Sequence, residues 1–202
     1  MSADLLRRLE TKLDPLDRLQ TEVRRGDFDL NPHVPMPERV LRSAAVLAAI
    51  VTRPAGWTML FTERAEDLPS HPGQVSFPGG RVQEGEDVVA AALREAEEEI
   101  GVARFAFTPL GGWEPYETGT GYRITPIVAT IAPGFTINPD PREVASVFEA
   151  PMDFLMNPAN HERREGEWRG QKRHYYAMPY DGHFIWGATA GMIRALYERL
   201  YS

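Results

Sequence analysis

There is no cysteine in the 202 residues, which removes disulfides, thiolate metal ligands and cysteine nucleophiles together. No stretch approaches the roughly 18 consecutive apolar residues of a membrane span, and the N-terminus lacks the compact apolar run of a signal peptide. Positive charge is also in deficit: 22 Lys and Arg stand against 29 Asp and Glu, for a formal net charge of −7. A chain so charged has no general electrostatic grip on nucleic acid, which needs a basic face. What is present is 43% hydrophobic and 10% aromatic residues, enough to build a core and to exclude disorder for the bulk of the chain. The expectation is an acidic, soluble, cytoplasmic protein of one domain with extensions, not bound to nucleic acid or membrane.

Leu5, Leu6, Leu9, Leu13, Leu16 and Leu19 recur at helical spacing, so residues 3 to about 23 read as an amphipathic helix that Pro15 splits or shortens. Its leucine stripe has two possible seats, the rest of the chain or a second subunit in a homodimer. Residues 26–39, with Pro32, Pro35 and Pro37, read as a linking arm across the surface. Strands are expected at Val46–Thr52 and Trp57–Thr62, then a Gly- and Pro-rich loop over 66–85 with an extended piece at Val75–Phe77. A strong helix is expected from about Asp87 to Ile100, and strands at Phe105–Trp113, Tyr122–Ile131 and Glu143–Phe148. A short helix at Pro151–Met156 precedes a polar, charge-dense loop over 158–172. A strand pair at Tyr175–Met178 and His183–Ile185 and a helix at Ala188–Tyr201 close the chain. Strands interleaved with helices predict an α/β/α sandwich on a mixed sheet.

The chemistry concentrates on the helix after Gly80. Seven acids and one base, Arg94, fall between Glu84 and Glu99. At about 100° per residue Val89, Ala92, Leu93, Ala96 and Ile100 share the core stripe. Glu95, Glu98 and Glu99, at i, i+3 and i+4, form a carboxylate patch beside it, while Glu97 points elsewhere. Like charges so spaced repel, so three of them at a core edge ask for a cation, and hard oxygen ligands select Mg²⁺ or Mn²⁺. A solvated acidic helix face is the other reading of the same pattern. Asp87 is placed as N-cap and Gly101 as left-handed C-cap.

The order Gly80, Glu86, Arg94-Glu95-Ala96, Glu98-Glu99, Gly101-Val102 resembles the Nudix box at nine constrained positions over 23 residues. Upstream, Leu60-Phe-Thr-Glu-Arg64-Ala65 and Gly73-Gln-Val-Ser-Phe77-Pro78-Gly79-Gly80 are similar to the motif before the box in the coenzyme A diphosphatase branch of that family, as is Trp186-Gly-Ala-Thr-Ala190 to its last helix. The branch motif expects an arginine where this chain has Pro69. The resemblance covers roughly residues 43–200, and divides the chain into an N-terminal helix and arm, 1–40, and a Nudix hydrolase domain, 41–202.

That resemblance implies a Nudix-like sandwich with a loop–helix–loop catalytic motif. It implies a metal-dependent pyrophosphohydrolase cleaving coenzyme A or its thioesters to 3′,5′-ADP and (acyl-)4′-phosphopantetheine. The alternatives are another nucleoside diphosphate derivative such as ADP-ribose, or a module that senses a nucleotide without cleaving it. Glu95 and Glu99 are implied as the main metal ligands, with Glu98 a further ligand or the base for the attacking water. Arg94 is implied to orient a carboxylate, with Glu86 the candidate, Arg64 to touch substrate phosphates, and Gly79-Gly80 to pass close to metal and substrate. Arg64 also reads as a strand-end surface charge, and His71 as a structural or solvent-facing histidine. The Trp113–Tyr122 loop reads as packing or as a stacking surface. Arg163, Arg164, Lys172 and Arg173 read as a solvated loop, or as charge for an extra phosphate.

Overall fold

The computed structural model describes residues 2–34, 39–68, 71–168 and 170–202. In chain order its elements are α1 (Ser2–Lys12), β1 (Arg25–Gly26), β2 (Arg42–Val51), β3 (Thr58–Arg64), β4 (Val75–Ser76), β5 (Gly79–Arg81), α2 (Val88–Ile100), β6 (Thr108–Gly112), β7 (Tyr116–Glu117), β8 (Tyr122–Ile131), β9 (Val144–Pro151), α3 (Met152–Leu155), β10 (Glu162–Trp168), β11 (Gln171–Tyr180), β12 (His183–Trp186) and α4 (Ala188–Tyr201).

The larger sheet is mixed. β2 runs parallel to β8 over Arg42↔Tyr122 to Val51↔Ile131, and antiparallel to β3 and β5, while β3 pairs antiparallel with β9. Eight consecutive residues of β2 are buried, the pattern of a strand covered on both faces. Its side chains divide by parity. Ala45, Leu47, Ala49 and Val51 pack with Ala92, Ala96 and Ile100 of α2, whereas Val46, Ala48 and Ile50 pack with Ile193 and Leu196 of α4. Helices on both faces of a mixed sheet make the expected sandwich. α1 belongs to the α4 layer: Leu5, Leu9 and Leu13 are buried there, and the Arg8 guanidinium donates to the Leu200 carbonyl at 2.9 Å. Of the two seats open to the leucine stripe, the chain's own helix takes it.

Two expectations are corrected. The N-terminal helix ends at Lys12, and only a short 3₁₀ turn, Leu16–Arg18, follows Pro15, because proline has no N–H to continue the ladder. The charge-dense segment over 158–172 is not a loop: β10 pairs with β11 from Glu162↔Ala177 to Trp168↔Gln171 in a second, three-stranded sheet. Residues 162–167 are exposed, so this edge strand lacks the apolar alternation that betrays a half-buried one, and its charges are those an edge tolerates. Among the described residues no helix is long and apolar enough to cross a membrane.

Candidate active site

α2 is bounded as its sequence requires. Asp87 accepts from the Val89 and Ala90 N–H groups at 2.9 and 2.8 Å, and Gly101 sits at φ 69° at the other end. The helix is thereby fixed in register against β5, the glycine strand that pairs with β2 through Ala45↔Gly80 and Val46↔Gly79. A Cβ on Gly80 would collide with the Glu95 carboxylate, and one on Gly79 with the backbone of Ala45 and Val46. The glycines therefore let two glutamates of α2 reach a strand that no side chain shields.

Glu95, Glu98 and Glu99 occupy different environments. Glu99 is 4% exposed and accepts the Gly79 N–H at 3.1 Å. Burial pushes its carboxyl up to about 8, against the pull of that N–H, and the charges of Glu95 and Glu143 push the same way while Arg64 opposes them. Glu95 is half-buried and also raised, first by burial, with Arg94 working against the rise. Glu98 is the exposed member, its side chain 58% accessible. Among the described residues no three acidic or histidine side chains stand close enough together to hold a metal ion. Glu95 and Glu99 remain as two inward carboxylates, desolvated, mutually repelling and incompletely compensated. That donor set fits a hard divalent cation, which would supply the missing positive charge and take oxygen ligands readily.

Arg94 ties the acids together. Its Nε and Nη2 donate to the two Glu86 oxygens at 2.8 and 3.0 Å, and its Nη1 donates to Glu95 at 2.9 Å and Glu98 at 3.0 Å. The fork holds the Glu86 carboxyl down to about 2. Glu97 turns away to Arg104, at 2.7 Å from Nε.

Gly79 and Gly80 line a cavity of about 1080 Å³ on the α4 side of the sheet, together with Arg64, Ala44, Val46 and Phe77. The Arg64 Nε is buried without a hydrogen-bond partner. His71 lies at the mouth, exposed. Trp113 is 1% exposed and packs in the core, whereas Tyr116 and Tyr122 from the same loop line the cavity. Of the basic cluster, Arg163, Arg164 and Lys172 are exposed on the hairpin, Arg164 2.7 Å from Glu162, and Arg173 lines the cavity. Pro69 lies outside the described residues.

Two features escaped the sequence reading. Glu143, immediately before β9, is brought near the α2 acids because Val144 pairs with Arg64 and because the chain just before it docks on the end of α2, the Asp140 N–H donating to the Glu99 carbonyl at 3.0 Å. Its charge bears on both Glu95 and Glu99. The arm after α1 is not a mere surface link: Arg25–Asn31 forms a wall of the cavity, pinned by β1 against β7. Asn31, 2% exposed, donates to the Asp27 and His174 carbonyls at 2.7 and 2.9 Å and accepts from the His174 N–H at 2.8 Å. Asp27 accepts from the Gly119 N–H at 2.6 Å and the Tyr116 hydroxyl at 3.0 Å. Only the odd run of Asn and Asp amid prolines hinted at such pinning.

A glycine strand thus lies over two carboxylates of a capped helix and borders a large cavity on the other side of a mixed-sheet sandwich. The NUDIX domain family matches residues 41–169, and the chain belongs to it: it is a Nudix pyrophosphohydrolase acting on nucleoside diphosphate derivatives. It is 38% identical over 170 residues, 82% of this chain and 90% of the other, to a protein of Photorhabdus laumondii named uncharacterized Nudix hydrolase NudL. A protein of the same name from Escherichia coli O7:K1 is 40% identical over 156 residues, 77% of this chain and 81% of the other. Among solved structures, DR0079 from Deinococcus radiodurans shares the fold, with a TM-score of 0.50 at 19% identity over 84% of this chain and 91% of that one.

Proposed function

We propose that the enzyme cleaves the diphosphate bond of coenzyme A or its thioesters, giving 3′,5′-ADP and (acyl-)4′-phosphopantetheine. The observation that carries this reading is the cavity of about 1080 Å³ opening from Gly79-Gly80, far larger than a diphosphate needs and at the upper end of ligand sites, which run to about 1,000 Å³. The resemblance of Leu60–Gly80 and Trp186–Ala190 to the coenzyme A branch supports the same substrate.

Glu95 and Glu99 would hold Mg²⁺ or Mn²⁺, and Glu98, bonded to Arg94 at 3.0 Å, would serve as a further ligand or as the base. The bound ion supplies charge neutralisation and a more acidic water. The chain's own groups do the rest. Arg64 binds phosphate oxygens and fixes the diphosphate against the bare backbone of Gly79 and Gly80. Arg94, through its Nη1, holds Glu95 and Glu98 in place. Water adds to one phosphorus, the P–O bond to the bridging oxygen breaks, and that oxygen leaves with the other phosphate. The water's proton passes to Glu98. Glu143, whose charge reaches Glu95 and Glu99, is the alternative acceptor under this reading.

The test is a substrate panel with Mg²⁺ and with Mn²⁺, products read by mass. kcat/KM for coenzyme A should exceed that for ADP-ribose; the reverse ranking overturns the assignment.

A further inference from the structure

Most arginines of this acidic chain are neutralised in place: Arg53, Arg94, Arg104, Arg142, Arg194 and Arg199 each face a carboxylate. Arg42, Arg64 and Arg81 make no ion pair among the described residues, and all three line the cavity beside Gly79 and Gly80. Arg42 opens β2 on the same parity as Ala44 and Val46, the cavity face, and its register partner on β8 is Tyr122. Arg81 follows Gly80 and pairs with Ala44. The two guanidiniums gather on one ring: Arg42 lies 4.0 Å and Arg81 5.9 Å from the Tyr122 centroid. Arg42 Nη2 donates to the Thr120 carbonyl at 3.0 Å, and Arg81 Nε donates to the Tyr122 hydroxyl at 3.4 Å.

Charge counting gives these cations a task. A substrate diphosphate would be faced by Arg64 and by a divalent ion held on Glu95 and Glu99, which leaves Arg42 and Arg81 with no carboxylate and no diphosphate oxygen as partner. A phosphomonoester carries about −1.5 to −2 at pH 7 and three acceptor oxygens, which two guanidiniums match in charge and geometry. Arg81 is one residue beyond Gly80, about 3.3 Å along the strand, so the second phosphate sits close to the first pair, as on the ribose of the same nucleotide.

We propose that Arg42 and Arg81, gathered around Tyr122, form a second subsite that selects nucleotides bearing a phosphomonoester on the ribose. The proposal rests on the diphosphate hydrolase reading but is measurable without turnover. The exposed hairpin cations Arg163, Arg164 and Lys172 take no part.

The experiment has two arms. In turnover, kcat/KM is compared within two pairs that differ only by the ribose phosphate, coenzyme A against 3′-dephospho-coenzyme A and NADPH against NADH. The wild type should favour the phosphorylated member of one pair at least tenfold, through KM, and R42Q/R81Q should bring that ratio near one, with R42K/R81K retaining part of it. The favoured pair says whether the 3′ or the 2′ position is read. In binding, calorimetry with 3′,5′-ADP, 2′,5′-ADP and 5′-AMP should show a bisphosphate at least tenfold tighter than AMP, a margin R42Q/R81Q removes. A wild type indifferent to the ribose phosphate in both arms overturns the subsite, as does a double variant that weakens both members of a pair equally. If no diphosphate is hydrolysed, the function above fails while the binding arm still decides the subsite.

Discussion

Glu99 offers the sharpest physical test. Its carboxyl is 4% exposed and pushed up to about 8 from an ordinary 4.5 by burial. A raised folded-state value means that the native protein keeps a proton the unfolded chain gives up. The stability this contributes is complete below pH 4.5 and is lost progressively as pH climbs toward 8. At about 1.4 kcal/mol per pH unit, the metal-free protein at pH 7 should carry a penalty of about 3 kcal/mol from this group, most of it acquired above pH 5. Glu99→Gln keeps an acceptor for the Gly79 N–H and cannot ionise. Urea unfolding in EDTA at pH 5 and pH 7 should therefore show the wild type losing about 2–3 kcal/mol more than the variant, a midpoint difference on the order of 1 M at a slope near 2 kcal/mol per M. Titrations of groups that do not feel Glu99 cancel in the comparison. Saturating Mg²⁺ at pH 7 should restore the wild type and not the variant, and the variant should have no Mg²⁺-dependent turnover. Equal pH dependence in the two proteins would refute the idea that this buried carboxylate waits for a cation.

Much of the fold was legible because local signals agreed with tertiary need. α2 has Asp87 and Gly101 at its ends and small apolar residues on one stripe, and β8 runs from Tyr122 to Ile131 as its apolar pattern requires. β10 was illegible because an edge strand with exposed charges carries no period of two. β5 was hidden by glycine, which has no β preference; its role appears only when Glu95 and Glu99 are seen against it. Spacing put Glu95, Glu98 and Glu99 on one side of α2, but their division into a buried Glu99, a half-buried Glu95 and an exposed Glu98 depends on what covers each turn of α2. Glu143 and Asn31 lie far from the box in sequence, and only the β3–β9 register and the contact of the arm with β11 bring them in.

Three further substitutions test the walls of the site. Gly79→Ala sets a methyl against the backbone of Ala45 and Val46 and should cost about 2 kcal/mol or more, whereas Gly80→Ala meets only the Glu95 carboxylate, which can swing aside. The second variant should keep its melting temperature within a few degrees and lose at least tenfold in Mg²⁺-dependent kcat; a swap of these two outcomes would mean that the glycines do not serve as described. Asn31→Ala removes the donor and acceptor that join the arm to His174 of β11 and the donor to the Asp27 carbonyl within the arm, leaving buried backbone groups unpaired at a cost of about 1–3 kcal/mol. If the arm walls the substrate cavity, loosening it should raise KM for coenzyme A about tenfold, with kcat changed less than threefold, because Arg64, Glu95 and Glu99 sit on β3 and α2, which the arm does not support. A fall in kcat with KM unmoved would show instead that Asn31 acts through the fold of the catalytic elements. The steady-state split therefore separates a wall from a prop even where the variant loses stability.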